Sequence, residues 1–513
     1  MLVVVFLTGA AVLVVEIVAV RVLSPYFGNT IFTVSSVISV ILAALSLGYF
    51  YGGRLSDRHP NLGWFFSIIL FGGISVLVLQ LMNVLILPVL GYALPITTGP
   101  LISSVILFFI PALLLGMLSP YAIKLQTQRC PDEGLGRVAG EVFFWSTLGS
   151  IVGSLSAGFV LIPMFGIAQI LIGVGVFLVC LGLLPILFGV TFDGRVSRHG
   201  SIASALLVLF ASLLSFNQNF SGVVYSADGV YERLVVYDLD QDNRKVRYFL
   251  QDRSQSGAIF LDTGEFAHEY AKHHRLYKLF HDQIETAVVI GGGAYLVPTK
   301  LFHENPTVVV DVIEIEPSLY ELSKKYFDLP DSSRIQNHVT DGRRFLFETN
   351  QKYDLIYADA YRTMFSVPSH LTTKEFFQLA SSRLSDDGVF IGNVIGDLSQ
   401  TGPNFLASTV KTMQSVFGEV QLYAVESGTR NEVQNFAIVA LNESVKQMLG
   451  SDNRQQKVNK ILPGFSDRKI DLALLDLDSA LVLTDNYVPV DYLLSRRLDH
   501  WLTDEKEAEV SQM

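Results

Sequence analysis

Long apolar segments fill the first 216 residues, and they constrain the fold of this part of the chain more than any motif does. Six segments are long enough to cross a bilayer as helices, and they lie at about residues 2–22, 31–51, 63–90, 101–123, 141–163 and 166–190. A seventh apolar run, 202–216, is shorter than a comfortable span and fits equally well at the membrane interface. The sequence therefore predicts a transmembrane domain of six or seven helices over residues 1–218.

The ends of these segments indicate how the chain crosses the membrane. No basic residues precede the first segment, which contains Glu16 and Arg21, so we interpret it as a retained helix rather than a cleaved signal. Basic residues cluster in the linkers near residues 54–58, 124–137 and 195–198, which places these linkers and the N-terminus in the cytoplasm. We therefore expect a multi-pass protein of the cell inner membrane. The side that holds the rest of the chain depends on whether the seventh run spans, and it stays open.

The remainder of the 513-residue chain has a different composition, which predicts a separate soluble part. After Phe216 it carries 42 acidic and 29 basic side chains. An acidic surface is poorly suited to nucleic acid and better suited to a cationic substrate. Cys130 and Cys180 are the only cysteines and both lie in the apolar part, so the sequence suggests neither a disulfide framework nor a zinc site. We expect no bound metal.

The stretch from Thr286 to Glu316 has the pattern of half a nucleotide-binding α/β unit. An apolar strand, Val288–Ile290, meets three glycines at 291–293, whose missing side chains let backbone N–H groups approach a ligand. A second apolar strand, 307–315, contains Glu314 near its end. An acidic residue about 20 residues past the glycines is where ribose hydroxyls are usually held. These features together predict a bound nucleoside.

Elements on both sides of this unit predict the fold class. Short β-rich segments between Val223 and Leu261 alternate with turns and indicate a small antiparallel sheet. From Thr286 onward, strands alternate with helices, which predicts a doubly wound, Rossmann-like α/β domain of the methyltransferase type. We expect the small sheet and a linking helix over residues 219–284, and the α/β domain over residues 285–513.

Four residues follow predicted strands and should meet at one carboxyl edge, where open parallel sheets bind ligands: Gly291, Glu314, Asp341 and Asp359. A dinucleotide is disfavoured because Leu296 replaces the third glycine of its binding motif, and the phosphate-binding lysine motif is absent too. Asp341 can accept a hydrogen bond from an exocyclic amine of a base, or it can cap a helix. Asp359 can accept the proton that an amine loses before it attacks an electrophilic carbon, or it can cap the following loop.

The soluble part resembles a known enzyme family. The runs GGGAYLVPTKLF, VVVDVIEIEPSLYELSKKYFDLP, RIQNHVTDGRRFL and YDLIYADAY are similar, in this order, to the spermidine/spermine synthases, the polyamine aminopropyltransferases. The stretches LGYFYGGRLSDR, GMLSPYAIKL and LTDNYVPVDYLL resemble bacterial fused proteins that join transmembrane helices to a spermidine-synthase-like domain. The resemblance implies a transferase without a prosthetic group that uses decarboxylated S-adenosylmethionine, or S-adenosylmethionine, as cosubstrate. Its implied partners are a small amine and the lipid bilayer, with self-association left open.

The resemblance also implies roles for individual residues at positions that match the family's motifs. The implied assignments are Gly291 and Gly293 beside the cosubstrate, Glu314 on its ribose, Asp341 and Gly342 on its adenine, Asp359 as the base that deprotonates the amine, and Gln255 and Tyr361 at the substrate.

Three positions depart from the family's pattern. Ala294 stands where the soluble synthases have an aspartate that binds the aminopropyl amine, and Arg362 stands where they have a second aspartate after the base. Tyr231 and Glu232 replace a Tyr-Gln pair. Losing two carboxylates and gaining an arginine weakens the case for a dicationic polyamine acceptor more than the case for the nucleoside.

Three functions therefore compete. The first is aminopropyl transfer by direct displacement at the carbon next to a sulfonium, with Asp359 as the base. The second is S-adenosylmethionine-dependent methyl transfer on the same scaffold, which Ala294 favours because no primary ammonium there needs a partner. The third is a membrane transporter or sensor whose domain binds a nucleoside or a polyamine without turnover.

Overall fold

The computed structural model describes residues 1–187, 209–210, 222–360, 366–398, 403–425, 433–442, 460–462 and 466–495. The chain divides into two compact units, Met1–Ser221 and Gly222–Met513. Apart from residues 209–210, the seventh apolar run lies outside the described residues, so its position stays a prediction.

The first unit is helical. Its helices are α1 (Leu2–Phe27), α2 (Ile31–Arg58), α3 (Leu62–Leu85), α4 (Leu87–Ala93), α5 (Gly99–Gly116), α6 (Leu118–Arg129), α7 (Leu135–Ser156), α8 (Ile162–Met164) and α9 (Ile167–Leu187). Among the described residues, six helical segments are long and apolar enough to cross a membrane, by length and composition: Leu2–Phe27, Ile31–Arg58, Leu62–Leu85, Gly99–Arg129, Leu135–Met164 and Ile167–Pro185. The six expected segments are thus confirmed as apolar helices of spanning length.

These helices pack in pairs, with α1 along α7, α2 along α5, and α3 along α9. Small residues let the paired backbones approach closely, as is common for helices packed within lipid. A Cβ added to Gly149 on α7 would lie 2.0 Å from the carbonyl oxygen of Phe6 on α1. A Cβ on Gly48 of α2 would lie 2.4 Å from the carbonyl oxygen of Leu113 on α5. Glycine is therefore required at both crossings.

The second unit begins with a small antiparallel sheet. Its strands are β1 (Val223–Asp228), β2 (Arg233–Gln241), β3 (Arg244–Gln251) and β4 (Ser254–Phe260), hydrogen-bonded in that order. Asp242 and Asn243 both have positive φ, which suits the two-residue hairpin turn between β2 and β3. The linking helix expected within residues 219–284 is a 3-10 helix, Tyr270–Leu279.

The main sheet of the described residues has eight strands. They are β5 (Thr286–Ile290), β6 (Val309–Glu314), β7 (Ile335–Val339), β8 (Tyr353–Ala358), β9 (Leu384–Gly396), β10 (Glu419–Ala424), β11 (Gln434–Leu441) and β12 (Lys469–Ile470). The helices between them are α10 (Leu296–Glu304), α11 (Leu319–Tyr326), α12 (Gly342–Glu348), α13 (Lys374–Arg383) and α14 (Phe405–Gln414).

The order across this sheet is β12-β10-β11-β9-β8-β5-β6-β7. Strands β5 to β9 pair in parallel, whereas β10, β11 and β12 are antiparallel to their neighbours. The chain winds from β5 outward to β7 on one side, and later continues through β8 and β9 on the other. This order confirms the doubly wound fold, and ligands of such sheets bind at the carboxyl ends where the winding reverses, here between β5 and β8.

Candidate active site

Gly291 joins three strands at the point where the winding reverses. Its φ is +95°, its backbone N–H donates to the carbonyl oxygen of Ile313 at 2.9 Å, and a Cβ there would lie 2.3 Å from the carbonyl oxygen of Asp359. A side chain would thus collide with the chain that follows β8. The glycine turn, residues 291–293, can pass between the ends of β6 and β8 only because Gly291 has no side chain.

Glu314, the last residue of β6, is bound to this turn. Its Oε2 accepts from the backbone N–H groups of Gly292 at 2.8 Å and Gly293 at 3.3 Å, and its Oε1 accepts from that of Glu316 at 2.9 Å. Burial raises the pKa of Glu314, while these N–H groups oppose the shift by stabilising the charged form. An ionised carboxylate has about four acceptor positions, so Glu314 keeps capacity for a further donor such as a hydroxyl.

Asp341 and Gly342 begin helix α12 at the same edge. Asp341 caps the helix by accepting from the backbone N–H of Arg344 at 2.9 Å. Its other oxygen accepts from His370 Nε2 at 2.6 Å, and this bond lowers the pKa of Asp341. A Cβ on Gly342 would lie 2.4 Å from Ile290 Cγ2, so the helix starts directly against the end of β5. Asp341 is a helix cap in this structure, and its contact with adenine stays a prediction.

Asp359 follows β8 and faces the end of β5. Its backbone N–H donates to the carbonyl oxygen of Ile290 at 2.9 Å, and its Oδ1 accepts from Asn393 Nδ2 at 2.8 Å. Burial raises the pKa of Asp359 to about 6, and the bond from Asn393 acts in the opposite direction. The residue keeps some exposed surface, so a substrate can reach it.

Two tyrosines lie close to Asp359. Burial raises the pKa of both Tyr270 and Tyr357, and the charge of Asp359 adds to the shift. The hydroxyl of Tyr270 donates to the carbonyl oxygen of Ser256 on β4 at 3.3 Å. The 3-10 helix and the small sheet therefore reach the same carboxyl edge as the glycine turn.

Beside Asp359, apolar side chains line a cavity of about 50 Å³. Ile290, Leu371 and Phe390 contribute to its walls, and Asn393 is one of its few polar lining residues. Ile290, against which Gly342 packs, lines this cavity, and an apolar wall suits the face of an aromatic base better than a phosphate.

Of the two residues expected at the substrate, Gln255 and Tyr361, the structure describes only Gln255. Tyr361 lies outside the described residues, as does Arg362. Gln255 is exposed on β4, and its Nε2 donates to the hydroxyl of Tyr237 at 3.1 Å. The side-chain amide beside the glycine turn is that of Gln251, whose Oε1 lies 3.9 Å from the position of a Cβ on Gly293.

The structure thus gathers Gly291, Gly293, Glu314, Gly342 and Asp359 around the ends of β5 and the turn that follows it. Sequence reasoning did not identify Asn393, the hydrogen-bond donor to Asp359, or Gln251. A signal for Asn393 was present, because it is a polar residue inside an otherwise apolar strand, VFIGNVIG. No comparable signal marks Gln251, because its position depends on how the small sheet packs.

The family model and the similar proteins found by comparison all point to the same enzyme family. The model of the spermine/spermidine synthase domain matches residues 266–446. The polyamine aminopropyltransferase of Vibrio vulnificus is 25% identical over 301 residues, which cover 56% of this chain and 97% of the relative. Polyamine aminopropyltransferase 1 of Streptomyces coelicolor is 24% identical over 418 residues, covering 76% of this chain and 74% of the relative. That alignment is longer than the second unit and therefore extends into the helical unit.

Among solved structures, a probable spermidine synthase from Corynebacterium glutamicum is similar with a TM-score of 0.40 and 18% identity. The similarity covers 49% of this chain and 90% of that protein.

Proposed function

Because the chain belongs to the spermine/spermidine synthase family through residues 266–446, we propose that it transfers an aminopropyl group from decarboxylated S-adenosylmethionine to an amine. The observation that carries this proposal is the environment of Asp359. Asp359 lies at the carboxyl end of β8, where its backbone contacts the glycine turn, and burial raises the pKa of its carboxyl group to about 6. Such a group is mostly charged at neutral pH and still accepts a proton readily, as a general base must.

In the proposed reaction, the nitrogen lone pair of the amine attacks the aminopropyl carbon that is bonded to the sulfonium sulfur. A C–N bond forms and the C–S bond breaks. The electron pair of the broken bond goes to sulfur, so the nucleoside leaves as the neutral thioether methylthioadenosine. The proton that the amine loses passes to Asp359.

The other residues of the site have supporting parts in this proposal. Glu314 holds the ribose hydroxyls with the acceptor capacity that its backbone bonds leave unused. Asp341 and Gly342 hold the adenine, supported by the position of Gly342 against Ile290. Gln255 and Tyr361 remain proposed substrate contacts, on the strength of the family resemblance.

We further propose that the helical unit holds the enzyme in the cell inner membrane as a multi-pass protein. The six apolar helices of spanning length support this proposal.

The proposal is tested with detergent-purified full-length protein, incubated with decarboxylated S-adenosylmethionine or S-adenosylmethionine and a panel of primary amines. Mass spectrometry then identifies the nucleoside product. We expect methylthioadenosine together with an aminopropylated amine. Asp359→Asn should lower the rate by about 100-fold or more, because general base catalysis contributes about 10²–10⁴-fold. Asp331→Asn, which removes an exposed carboxylate from the same unit, is the matched control and should keep the wild-type rate.

Each alternative has its own outcome. Formation of S-adenosylhomocysteine would identify a methyltransferase, the function that buried Ala294 favours by offering no charge to an ammonium. An undiminished rate in Asp359→Asn would remove this residue as the base. Tight nucleoside binding without any product would identify a transporter or sensor.

A further inference from the structure

The space next to Gly293 is bounded by hydrogen-bond acceptors. A Cβ added to Gly293 would have as nearest neighbours the carbonyl oxygen of Ser256 at 3.5 Å and Gln251 Oε1 at 3.9 Å. Neither atom can donate a hydrogen bond, and both carry partial negative charge. This space therefore favours a ligand group that donates hydrogen bonds and is positively charged.

Glu232 fixes the orientation of the Gln251 amide. Both side chains are only 6% exposed, and Gln251 Nε2 donates to Glu232 Oε1 in a short hydrogen bond. With its nitrogen held by Glu232, the amide presents its oxygen toward Gly293. A glutamine at position 232 would carry an NH2 group that competes with that of Gln251, and so it would remove this constraint.

The surroundings of Glu232 are acidic. Burial raises the pKa of Glu232 to about 8, the hydrogen bond from Gln251 opposes this shift, and the charges of Asp252, Glu314 and Glu316 add to it. Glu316 is 1% exposed, and it accepts from the backbone N–H of Tyr231 at 3.0 Å. A cation beside these carboxylates is stabilised, and the carboxylate of a ligand is repelled by them.

Ala294 follows Gly293 but cannot supply a charge. It is 2% exposed, and its Cβ lies 3.0 Å from the position of a Cβ on Gly257, so it packs against β4. A counter-charge for a ligand at the glycine turn has to come from another element. On the small sheet, the buried carboxylate bonded to Gln251 is that of Glu232.

We propose that Glu232 determines which nucleoside this site accepts: one whose chain ends in an ammonium and carries no carboxylate. Glu232 acts as a positioning and specificity residue, by orienting Gln251 and by its own charge. The inference rests on the proposed function, since the chain of a nucleoside must lie along the glycine turn. Glu232 also distinguishes between the two possible donors. S-adenosylmethionine carries one carboxylate more than its decarboxylated form, and this carboxylate would be repelled by Glu232, Glu314 and Glu316.

The test measures binding of three probes to detergent-purified full-length protein by isothermal titration calorimetry. The probes are methylthioadenosine, whose chain is uncharged, decarboxylated S-adenosylmethionine, and S-adenosylmethionine. Wild-type protein should bind the decarboxylated form at least tenfold more tightly than S-adenosylmethionine. Glu232→Gln should weaken binding of the decarboxylated form about tenfold, leave methylthioadenosine within twofold, and reduce the preference between the two sulfonium compounds. Glu348→Gln, which removes an exposed carboxylate from α12, should leave all three affinities unchanged.

Proton release gives a second readout that a purely structural role would not change. At pH 7 the decarboxylated form should displace a proton from wild-type protein, because the bound cation stabilises the charged form of Glu232. Methylthioadenosine should displace none. This comparison uses wild-type protein alone, so it holds even if Glu232→Gln does not fold, and Glu232→Asp should keep the preference because it keeps the charge.

Three results would overturn the inference: equal weakening of methylthioadenosine and the decarboxylated form in Glu232→Gln, an unchanged preference in that variant, or equal proton release by both ligands in wild-type protein. If wild-type protein binds none of the three probes, the proposed function itself fails.

Discussion

Asn393 donates a hydrogen bond of 2.8 Å from its side-chain amide to Asp359 Oδ1, and its own oxygen accepts one of 3.0 Å from Asn435. Asn393 lies on β9 and Asn435 on β11, so the antiparallel strand beside the parallel core supports the residue that we propose as the base. The bond from Asn393 stabilises the charged carboxylate and so limits the effect of burial on the pKa of Asp359.

Asn393→Ala should therefore shift the pH dependence of the reaction. Asp359 works deprotonated, so the rate falls as the pH drops through the pKa of about 6. Without the bond from Asn393 the pKa rises, and the acidic limb of the kcat/KM profile should move up by roughly 1 to 2 pH units, since a hydrogen bond to a charged group contributes about 1.5–3 kcal/mol. At pH 9 the variant should approach the wild-type rate.

Asn435→Ala is the control for this experiment, because it leaves the bond between Asn393 and Asp359 in place. Its acidic limb should move less than that of Asn393→Ala. An acidic limb that stays in place in Asn393→Ala would show that a group other than Asp359 controls the profile.

Gly291 and Gly293 should respond differently to the same substitution. Gly293 has a φ of +51° with nothing closer than 3.5 Å to an added Cβ. Gly293→Ala should cost about 1–2 kcal/mol of unfolding free energy, the penalty of the left-handed conformation. Gly291→Ala adds a Cβ 2.3 Å from the carbonyl oxygen of Asp359 and has to move backbone, so it should cost more than about 3 kcal/mol.

Both variants are compared with wild-type protein by thermal unfolding and by their affinity for methylthioadenosine. Gly291→Ala should lose nucleoside binding, because the turn can no longer pass between the ends of β6 and β8. Equal effects of the two substitutions would mean that the close contact with Asp359 does not constrain the turn.

The variant Asp341→Asn distinguishes the helix-capping role of Asp341 from a role in binding adenine. Asparagine caps helices about as well as aspartate, so the stability of α12 should be preserved. If Asp341 also accepts from the exocyclic amine of adenine, the variant should bind methylthioadenosine about tenfold more weakly, since such a bond contributes about 1.5–3 kcal/mol. Methylthioinosine lacks this amine, and its affinity should stay within about twofold in the variant. Equal losses for both nucleosides would restrict Asp341 to its role as a cap.

The sequence predicted the parts of the site that depend on local pattern. Buried parallel strands are continuous apolar runs, and Val288, Val310 and Leu355 have no exposed surface. Because the carboxyl ends of parallel strands share one edge, the sequence alone predicts that Glu314 and Asp359 lie near the glycine turn.

Parts that depend on packing between distant segments could not be predicted. Gln251 precedes Gly293 by 42 positions in the sequence, and its position beside the turn follows from the docking of the small sheet. The pKa of Asp359 likewise depends on burial and on Asn393, which neighbouring residues in the sequence do not reveal. In the helical unit, apolar length predicted the six segments but not which helices pair.

Two glycines of α7 provide a matched test of that helix pairing. A Cβ on Gly149 would lie 2.0 Å from the carbonyl oxygen of Phe6 on α1, whereas a Cβ on Gly140 has no neighbour within 4 Å. Within a helix, alanine is intrinsically favoured over glycine by about 1 kcal/mol. Gly140→Ala should therefore keep or raise the unfolding temperature of the protein in detergent.

Gly149→Ala should instead separate α1 from α7 and lower the unfolding temperature by at least about 5 °C, because a displaced backbone loses contacts along the helix pair. The two variants add the same methyl group to the same helix, so the difference between them reports the contact with α1 alone. If both variants unfold at the wild-type temperature, the close pairing of α1 with α7 is wrong. If both unfold early, the cause lies in α7 itself rather than in its packing.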